Sequence, residues 1–280
     1  MVKVAAIQMQ MSEDKSANIT KAVKFVRESH SAGAQIILLP ELFESLYFCK
    51  DMDEKYFSYA SELKNNSLIN LFSALAKELK VVLLVSYFEK TSDDYFNSLV
   101  VIDADGSVMD NYRKTHIPDG PGYEEKFYFK EGDTGFKVYN TAYGKIGVGI
   151  CWDQWFCETA RALTLKGAEI IFYPTAIGSE PEIVLDSKDH WQRVQMGHAA
   201  TNTVPVVVAN RIGLEVGESC ELTFYGSSFI TDYTGKKIEE ASRDKEEIIY
   251  ASFDLEENAR QREYWGLIRD RRPSCYNDLV

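Results

Sequence analysis

"KIGVGICWDQWFCETARALTLKGAEIIFYPT", residues 145–175, is typical of a β-strand followed by a helix and a second β-strand. Residues 145–150 are mostly apolar and predict the first strand, and residues from about 154 to 166 predict the helix. The run after Gly167 is rich in branched and aromatic side chains, as in a buried strand. Because strands that alternate with helices pack as helix-covered sheets, this stretch predicts an α/β layer fold.

An echo of the same pattern occurs near the start of the chain. "GAEIIFYPT" at 167–175 resembles "GAQIILLPE" at 33–41, and each follows a predicted helix. The echo reflects either a duplicated βαβ unit or a chance recurrence of helix, glycine and strand. Duplication favours two similar sheets that pack together.

The remaining elements fit a layer fold. Strands are predicted at "KVAAIQM" and "VVLLVSYFE", and helices at 16–32 and about 67–80, the first ending at Gly33. "NSLVVID", the turn "ADG" and "SVMDNYRK" predict a β-hairpin, which makes the sheet mixed. The longest irregular region is 118–135, and such loops carry binding groups. We expect one domain over residues 1–280 with a C-terminal extension from about residue 265.

Composition narrows the class of partner. The 280 residues carry a formal charge of -12, which argues against nucleic acid and mildly favours small cationic molecules. There is no apolar run long enough to span a bilayer and no signal-peptide pattern, so we expect a cytoplasmic protein with no membrane partner. The five cysteines form no CxxC pair and no zinc spacing, which predicts free thiols rather than disulfides or a structural metal.

Three reactive side chains follow predicted strands, where α/β sheets bind ligands. They are Glu41, Lys114 and Cys151. In a functional interpretation, Glu41 takes the thiol proton, Cys151 attacks a carbonyl-type carbon, and Lys114 with the backbone N–H of Trp152 stabilises the oxyanion. The predicted helix after Cys151 and the ammonium of Lys114 would both lower the pKa of the thiol. The structural alternatives are a buried cysteine, a solvated strand-end glutamate and a surface lysine.

A resemblance strengthens the functional interpretation. "LPELFES", "YRKTHIPDGPGY" and "GICWDQWFCETARALTLKGAEIIFYPTAIGSEP" together resemble signature blocks of the nitrilase, or carbon–nitrogen hydrolase, superfamily. The resemblance runs from the first strand to about residue 265 and implies a Glu-Lys-Cys triad in this order. It also implies a four-layer α-β-β-α sandwich of two stacked mixed sheets, no metal, no organic cofactor and a homo-oligomer. A second glutamate, at the position of Glu125, would hold Lys114 and assist proton transfer.

The substrate class is also an expectation from resemblance. "DGPGYEEKFYFKEGDTGF" and "CWDQWF" are most similar to family members that hydrolyse N-carbamoyl amines, which implies a small cationic substrate such as N-carbamoylputrescine. The resemblance assigns Glu180 to the substrate ammonium, although a solvated loop glutamate is the alternative. Arg193 and Arg211 keep a rival open, because an arginine in the pocket would favour an N-carbamoyl-β-amino acid or an ω-amide acid.

Several residues near these motifs keep two interpretations. Tyr47, Trp152 and Trp191 either line an aliphatic substrate channel or pack in the core, and His116 lies near the pocket or is structural. The cysteines outside the motif are expected to be structural; they are Cys49, Cys157, Cys220 and Cys275. A non-catalytic nucleotide-binding module is the remote alternative, but "KVAAIQMQMSED" has no glycine to cradle a phosphate.

Overall fold

The structure is a computed structural model that describes residues 1–182 and 184–279. Strands and helices alternate in both halves of the chain. The strands are β1 (Val2–Gln10), β2 (Ile36–Leu38), β3 (Val82–Lys90), β4 (Tyr95–Ile102), β5 (Tyr112–Arg113), β6 (Lys137–Thr141), β7 (Gly144–Val148), β8 (Ile170–Pro174), β9 (Val206–Ala209), β10 (Arg211–Val216), β11 (Glu221–Tyr225), β12 (Phe229–Thr231), β13 (Lys237–Glu240) and β14 (Glu247–Phe253). The helices are α1 (Lys15–Ser31), α2 (Ser67–Leu79), α3 (Glu125–Tyr128), α4 (Cys157–Leu165), α5 (Lys188–Asn202) and α6 (Leu255–Trp265).

The strands form two mixed sheets. The larger sheet has the order β11-β10-β1-β2-β3-β4-β5, with β14 also paired to β1, and the smaller has the order β13-β12-β9-β8-β7-β6. Consecutive parallel strands lie at the centre of each sheet, the four strands β10-β1-β2-β3 in the larger and the three strands β7-β8-β9 in the smaller. The two echoed segments therefore supply β2 and β8, each an inner strand of its parallel set.

Apolar side chains divide the fold into four layers. One buried cluster combines residues of both sheets, such as Leu38 and Leu99 with Ile146 and Phe172, and so lies between the sheets. A second cluster joins the larger sheet to α1 and α2, and a third joins the smaller sheet to α4 and α5. The predicted α-β-β-α sandwich of two stacked mixed sheets is confirmed.

Local signals place the outer helices. The side chain of Asp14 accepts a hydrogen bond from the N–H of Ala17 and caps α1, and Asn66 caps α2 in the same way. Lys80 ends α2 in the left-handed conformation. The predicted end of α1 at Gly33 is one residue late, since Ala32 is the cap and Gly33 follows it with a φ of 87°.

Two sequence predictions need correction. The helix after Cys151 does not start near residue 154: residues 151–155 form a 3₁₀ turn, and α4 begins only at Cys157. The second arm of the predicted hairpin is also mostly irregular. It retains a bridge between Val108 and Ile102 and the two-residue β5, which pairs antiparallel with β4 on the edge opposite β3.

The chain after α6 consists of turns on the surface of the described structure. Gly266 ends α6 in the left-handed conformation, and a 3₁₀ turn follows at Pro273–Cys275. Among the helices of the described residues, none is both long and apolar enough to cross a membrane.

Candidate active site

The ends of three strands bring the predicted triad together. Glu41 lies three residues after β2, Lys114 directly follows β5, and Cys151 lies three residues after β7. The first two strands belong to the larger sheet and the third to the smaller, so the site lies where the two sheets meet. Stacking of the sheets therefore converts distant sequence positions into one cluster.

Lys114 is the centre of a buried charge network. Its Nζ donates to Glu41 Oε1 at 2.9 Å and to Glu125 Oε1 and Oε2 at 2.8 and 2.7 Å. All three side chains are essentially inaccessible to solvent. Burial alone would lower the pKa of Lys114, but the carboxylates of Glu125 and Glu41 outweigh it and raise that pKa well above its usual value. The lysine is therefore an ammonium at neutral pH.

The two carboxylate oxygens of Glu41 differ in their hydrogen bonds. Oε1 accepts hydrogen bonds from Asn97 Nδ2 at 2.6 Å and from Lys114 Nζ. Oε2 is buried and has no hydrogen-bond partner within residues 1–182 and 184–279. An oxygen without a hydrogen-bond donor is open to a proton from a neighbouring group, so this arrangement is compatible with a general base.

Cys151 occupies a strained position at the end of the β7 segment. Its φ is 40°, in the left-handed region that residues other than glycine rarely adopt. Asp153 stabilises this bend. Its Oδ2 accepts from the N–H of Ile150 at 2.9 Å and from Tyr112 Oη at 2.7 Å, and its Oδ1 accepts from the N–H of His116 at 3.0 Å.

The expectation of a lowered thiol pKa is wrong. Burial raises the pKa of Cys151 well above its usual value, the carboxylate of Glu41 raises it further, and the opposing effect of Lys114 does not compensate. The 3₁₀ turn also removes the predicted α-helix N-terminus from the thiol. Cys151 is thus a thiol at rest, and a reaction through its sulfur would require a base.

This geometry permits nucleophilic attack on a carbonyl. The N–H of Trp152 lies in the first turn of the 3₁₀ segment, where N–H groups have no acceptor within the helix. Together with the ammonium of Lys114 it can stabilise an oxyanion beside the thiol. Burial raises the pKa of Glu125, although the charge of Lys114 opposes this effect.

A small cavity of about 190 Å³ opens over the thiol. Its size is below the ~300–1,000 Å³ of pockets for drug-sized ligands, so it suits a short, narrow substrate. Its lining consists of Pro118, Asp119, Gly120, Pro121, Tyr123, Glu125, Cys151, Trp152, Trp155, Ala176, Ile177 and Glu180. These lining residues include three carboxylates and no lysine or arginine.

Glu180 lies in this lining at a distance from the charge network. Burial raises the pKa of its carboxyl group, and within residues 1–182 and 184–279 no lysine or arginine forms a salt bridge with it. Tyr123 ties the loop to the opposite wall, since its hydroxyl accepts from the N–H of Gly178 at 3.0 Å and donates to the carbonyl of Ser179 at 3.4 Å. A half-buried carboxylate without a cation is a site for a cationic group.

The other residues predicted for the substrate channel differ in position. Trp152 lines the cavity with 38% of its surface exposed, whereas Tyr47 and Trp191 lie outside the cavity and are fully buried. The hydroxyl of Tyr47 donates to Glu125 Oε1 at 2.8 Å, so this residue lies behind the network, and Trp191 packs between α5 and the smaller sheet. Arg193 is exposed on α5, and Arg211 is fully buried.

His116 is structural in this arrangement. Its Nδ1 lies 2.7 Å from Asp153 Oδ1, and its ring stacks on that of Phe156 with centroids 3.7 Å apart. The cysteines outside the motif form no disulfide: Cys49 is buried, Cys220 is partly buried, and Cys157 and Cys275 are exposed. Within the described ranges, no group of three His, Cys, Asp or Glu side chains is arranged to hold a metal ion.

Sequence reasoning missed three residues that complete the site. Asn97 holds Glu41, Asp153 holds the bend at Cys151, and Tyr123 holds the Glu180 loop. An available signal was the position of Asp153 two residues after the cysteine, where a carboxylate can accept from the N–H groups that begin a helical turn. For Asn97, in the middle of a strand pattern, the sequence offers no comparable signal.

Comparisons with known proteins place the chain among characterised relatives. A family model described as carbon-nitrogen hydrolase matches residues 3–263. The chain is 52% identical to N-carbamoylputrescine amidase from Arabidopsis thaliana over all of this chain and 95% of that protein. It is 51% identical to citrullinase from Francisella tularensis over all of this chain and 98% of that protein. A crystal structure of a carbon-nitrogen hydrolase from Helicobacter pylori G27 matches with a TM-score of 0.93 and 38% identity, covering 99% of this chain and 98% of that chain.

Proposed function

This chain belongs to the carbon–nitrogen hydrolase family and is a hydrolase acting on C–N bonds, and from that premise we propose that it hydrolyses N-carbamoylputrescine to putrescine, carbon dioxide and ammonia. The reaction would form a polyamine precursor. The observation that carries this proposal is the acidic cavity, in which Glu180 lines the same space as Cys151 and no lysine or arginine accompanies it. N-carbamoylputrescine has a carbamoyl group at one end and an ammonium at the other, which fits these two features.

In the proposed first step, Glu41 Oε2 takes the proton of Cys151 as the sulfur attacks the carbamoyl carbon. The carbonyl oxygen becomes an oxyanion, which Lys114 and the N–H of Trp152 stabilise. Glu41 then returns the proton to the departing nitrogen, the C–N bond breaks, and a thiocarbamate, a thioester whose carbonyl carbon still carries the second nitrogen, remains on Cys151.

In the second step, water attacks this thioester. Glu41 takes one proton of the water, a second tetrahedral intermediate forms at the same oxyanion site, and the C–S bond breaks to restore the thiol. The released carbamic acid loses carbon dioxide and leaves the second nitrogen as an amine. Glu125 supports both steps by holding Lys114 through two hydrogen bonds.

Citrulline is the second candidate substrate, because the Francisella relative is named citrullinase. Citrulline shares the carbamoyl group and an ammonium but adds a carboxylate beside the ammonium. The lining of the cavity favours N-carbamoylputrescine, since it offers that carboxylate Glu180 and Asp119 and contains no lysine or arginine, while the ammonium of Lys114 is bound by Glu41 and Glu125.

Substrates with a terminal carboxylate and no ammonium are less well supported. The rival N-carbamoyl-β-amino acids and ω-amide acids would need an arginine in the cavity. Arg193 lies on the outer surface of α5, and Arg211 is occupied by Glu215 and backbone carbonyls.

The proposal is tested by ammonia release from four substrates: N-carbamoylputrescine, citrulline, N-carbamoyl-β-alanine and pentylurea, in which a methyl group replaces the ammonium. We expect the highest kcat/KM for N-carbamoylputrescine. Loss of the ammonium should lower kcat/KM by about 10- to 150-fold, as for a charge-assisted hydrogen bond. Higher kcat/KM for citrulline or N-carbamoyl-β-alanine would contradict the assignment.

A further inference from the structure

The segment that carries Glu41 is a long connection between β2 and α2 and belongs to neither a strand nor an α-helix. Between β2 and α2 the chain forms only short 3₁₀ turns, at Phe48–Lys50 and Glu54–Tyr59. Leu42, next to Glu41, has a φ of 47°. A catalytic carboxylate needs its position defined to a fraction of an ångström, so some other part of the fold must hold this segment.

Arg211, at the start of β10, provides one set of contacts. Its Nη2 donates to the carbonyl of Glu41 at 2.9 Å and to that of Leu42 at 3.1 Å, and its Nη1 donates to the carbonyl of Ser45 at 3.4 Å. One guanidinium therefore spans three carbonyls around the bend. The side chain is fully buried and contacts the backbone of the catalytic segment instead of the cavity.

Glu215, four residues later on the same strand, provides a second set. Its Oε1 accepts from Arg211 Nη1 at 2.8 Å, and its Oε2 accepts from the N–H of Tyr47 at 2.6 Å. The hydroxyl of Tyr47 donates to Glu125 Oε1. The ion pair is thus linked to the backbone of Glu41 on one side and to the carboxylate of Glu125 on the other.

We propose that the buried Arg211–Glu215 ion pair is a positioning device that sets the placement of Glu41 and, through Tyr47, of Glu125 around Lys114. The inference rests on the proposed roles of Glu41 and Cys151. A buried ion pair gains little net stability, because the desolvation of both charges offsets their attraction. Its geometric value is larger: the planar guanidinium presents several fixed donors, which one lysine ammonium cannot reproduce.

The test replaces the guanidinium of Arg211 with a lysine ammonium, which keeps the positive charge. Arg211→Lys leaves Glu215 compensated but removes the donors to at least two of the three carbonyls. We expect kcat for N-carbamoylputrescine to fall by about 10- to 100-fold, the range for a catalytic group displaced by a fraction of an ångström to one ångström. KM should change much less, since the pair does not line the cavity. The matched control is Arg193→Lys on the exposed face of α5, which should retain wild-type kcat.

A second readout does not depend on the substrate. The rate of Cys151 alkylation by iodoacetamide, followed by peptide mass spectrometry across pH 5–10, reports how well Glu41 accepts the thiol proton. Arg211→Lys should slow alkylation at neutral pH by about tenfold, as expected when the Glu41 carboxylate moves away from the thiol. Alkylation of the exposed Cys157 in the same sample is the internal control.

The outcomes separate this inference from the proposed substrate. Slower alkylation of Cys151 in Arg211→Lys supports the positioning role even if the wild-type enzyme does not hydrolyse N-carbamoylputrescine. Unchanged kcat and alkylation in a folded Arg211→Lys variant would overturn the positioning role, as would a change confined to KM or to the melting temperature.

If Arg211→Lys does not fold, Tyr47→Phe tests the same link, because it removes only the hydrogen bond to Glu125 and should lower kcat by about 5- to 20-fold. An unchanged kcat in folded Tyr47→Phe would then overturn the inference.

Discussion

The reactivity of Cys151 depends on whether its surroundings stabilise a negative charge on the sulfur. The thiol is buried and lies near Glu41, and both effects raise its pKa, with Lys114 opposing them only in part. A permanently ionised thiolate is therefore not the resting state. In the proposed mechanism, attack is therefore coupled to proton transfer, for which the unpartnered oxygen of Glu41 is the proposed acceptor.

Replacing the nucleophile gives the first prediction at this scale. Cys151→Ser should lower kcat by about 10³-fold or more, because a hydroxyl is a far weaker nucleophile with a carboxylate as its base. Cys157→Ser is the matched control, since this thiol is exposed and lies outside the cavity. Ammonia release by both variants decides the assignment. Full activity in Cys151→Ser with loss in Cys157→Ser would reverse it.

Glu180 allows a test of substrate recognition. Glu180→Gln keeps the shape of the side chain and removes its charge. We expect kcat/KM for N-carbamoylputrescine to fall by about 10- to 150-fold, while kcat/KM for pentylurea, which has no ammonium, changes little. An equal response of both substrates would show that Glu180 does not bind the ammonium.

The same substitution has a pH-dependent effect on stability. Burial raises the pKa of Glu180 in the folded protein, so the folded state binds this proton more tightly than the unfolded state. The wild type therefore loses stability as the pH rises from about 4.3, the unfolded value, through the folded pKa. Glu180→Gln should raise the melting temperature of the substrate-free enzyme at pH 7, and this gain should disappear near pH 4. A lower melting temperature at pH 7 would contradict this account.

At the scale of elements, the turn after β7 determines where the nucleophile points. Asp153 is buried and accepts hydrogen bonds from the backbone of two segments, at Ile150 and at His116. It therefore links the turn of the smaller sheet to the strand end that carries Lys114. The bend at Cys151 is held by these bonds and not by its own conformational preference.

Asp153→Asn tests this link. The amide keeps the volume but replaces one acceptor oxygen with donors, which would face the donors now bound by Asp153. We expect a loss of about 1–3 kcal/mol in the free energy of unfolding and a fall in kcat that exceeds the change in KM. Asp189→Asn is the control, since this carboxylate is exposed on α5. Urea denaturation and steady-state kinetics measure the two effects, and a loss of stability without a loss of kcat would exclude a role in orienting Cys151.

At the scale of the whole molecule, the two sheets share one apolar layer. Residues such as Leu99 of the larger sheet and Phe172 of the smaller sheet belong to the same buried cluster. The proposed catalytic cluster adjoins this layer, since Cys151 itself belongs to it. The alignment of Glu41 and Lys114 with Cys151 therefore requires both sheets to be packed.

Leu99→Ala tests whether the sheets unfold together. It should destabilise the protein by about 2–5 kcal/mol, as for other buried leucines, whereas Leu71→Ala on the exposed face of α2 should change stability by less than about 0.5 kcal/mol. All four tryptophans lie in the second half of the chain, far in sequence from Leu99. We expect Leu99→Ala to lower the urea midpoint measured by tryptophan fluorescence as much as that measured by circular dichroism. A fluorescence midpoint that does not move would show independent halves.

The sequence by itself determined the layers and the reactive residues of this protein. Periodic apolar runs predict α1, α2 and the central strands, because burial of one face is a local property of the pattern. The resemblance of three motif blocks identified Glu41, Lys114, Cys151 and Glu125 as the residues to examine.

Only the tertiary structure decided how these residues are paired and charged. The burial that raises the pKa of Cys151 depends on how the two sheets stack, and the contact of Tyr47 with Glu125 depends on how two distant loops fold against each other. Arg211 shows the same limit: its sequence position allowed a substrate-binding role, but the strand order of the larger sheet places β10 near the end of β2 and so directs Arg211 to the backbone of Glu41. Desolvation and hydrogen-bond partners are properties of the assembled chain, and contacts between residues more than a hundred positions apart are not encoded in any local pattern.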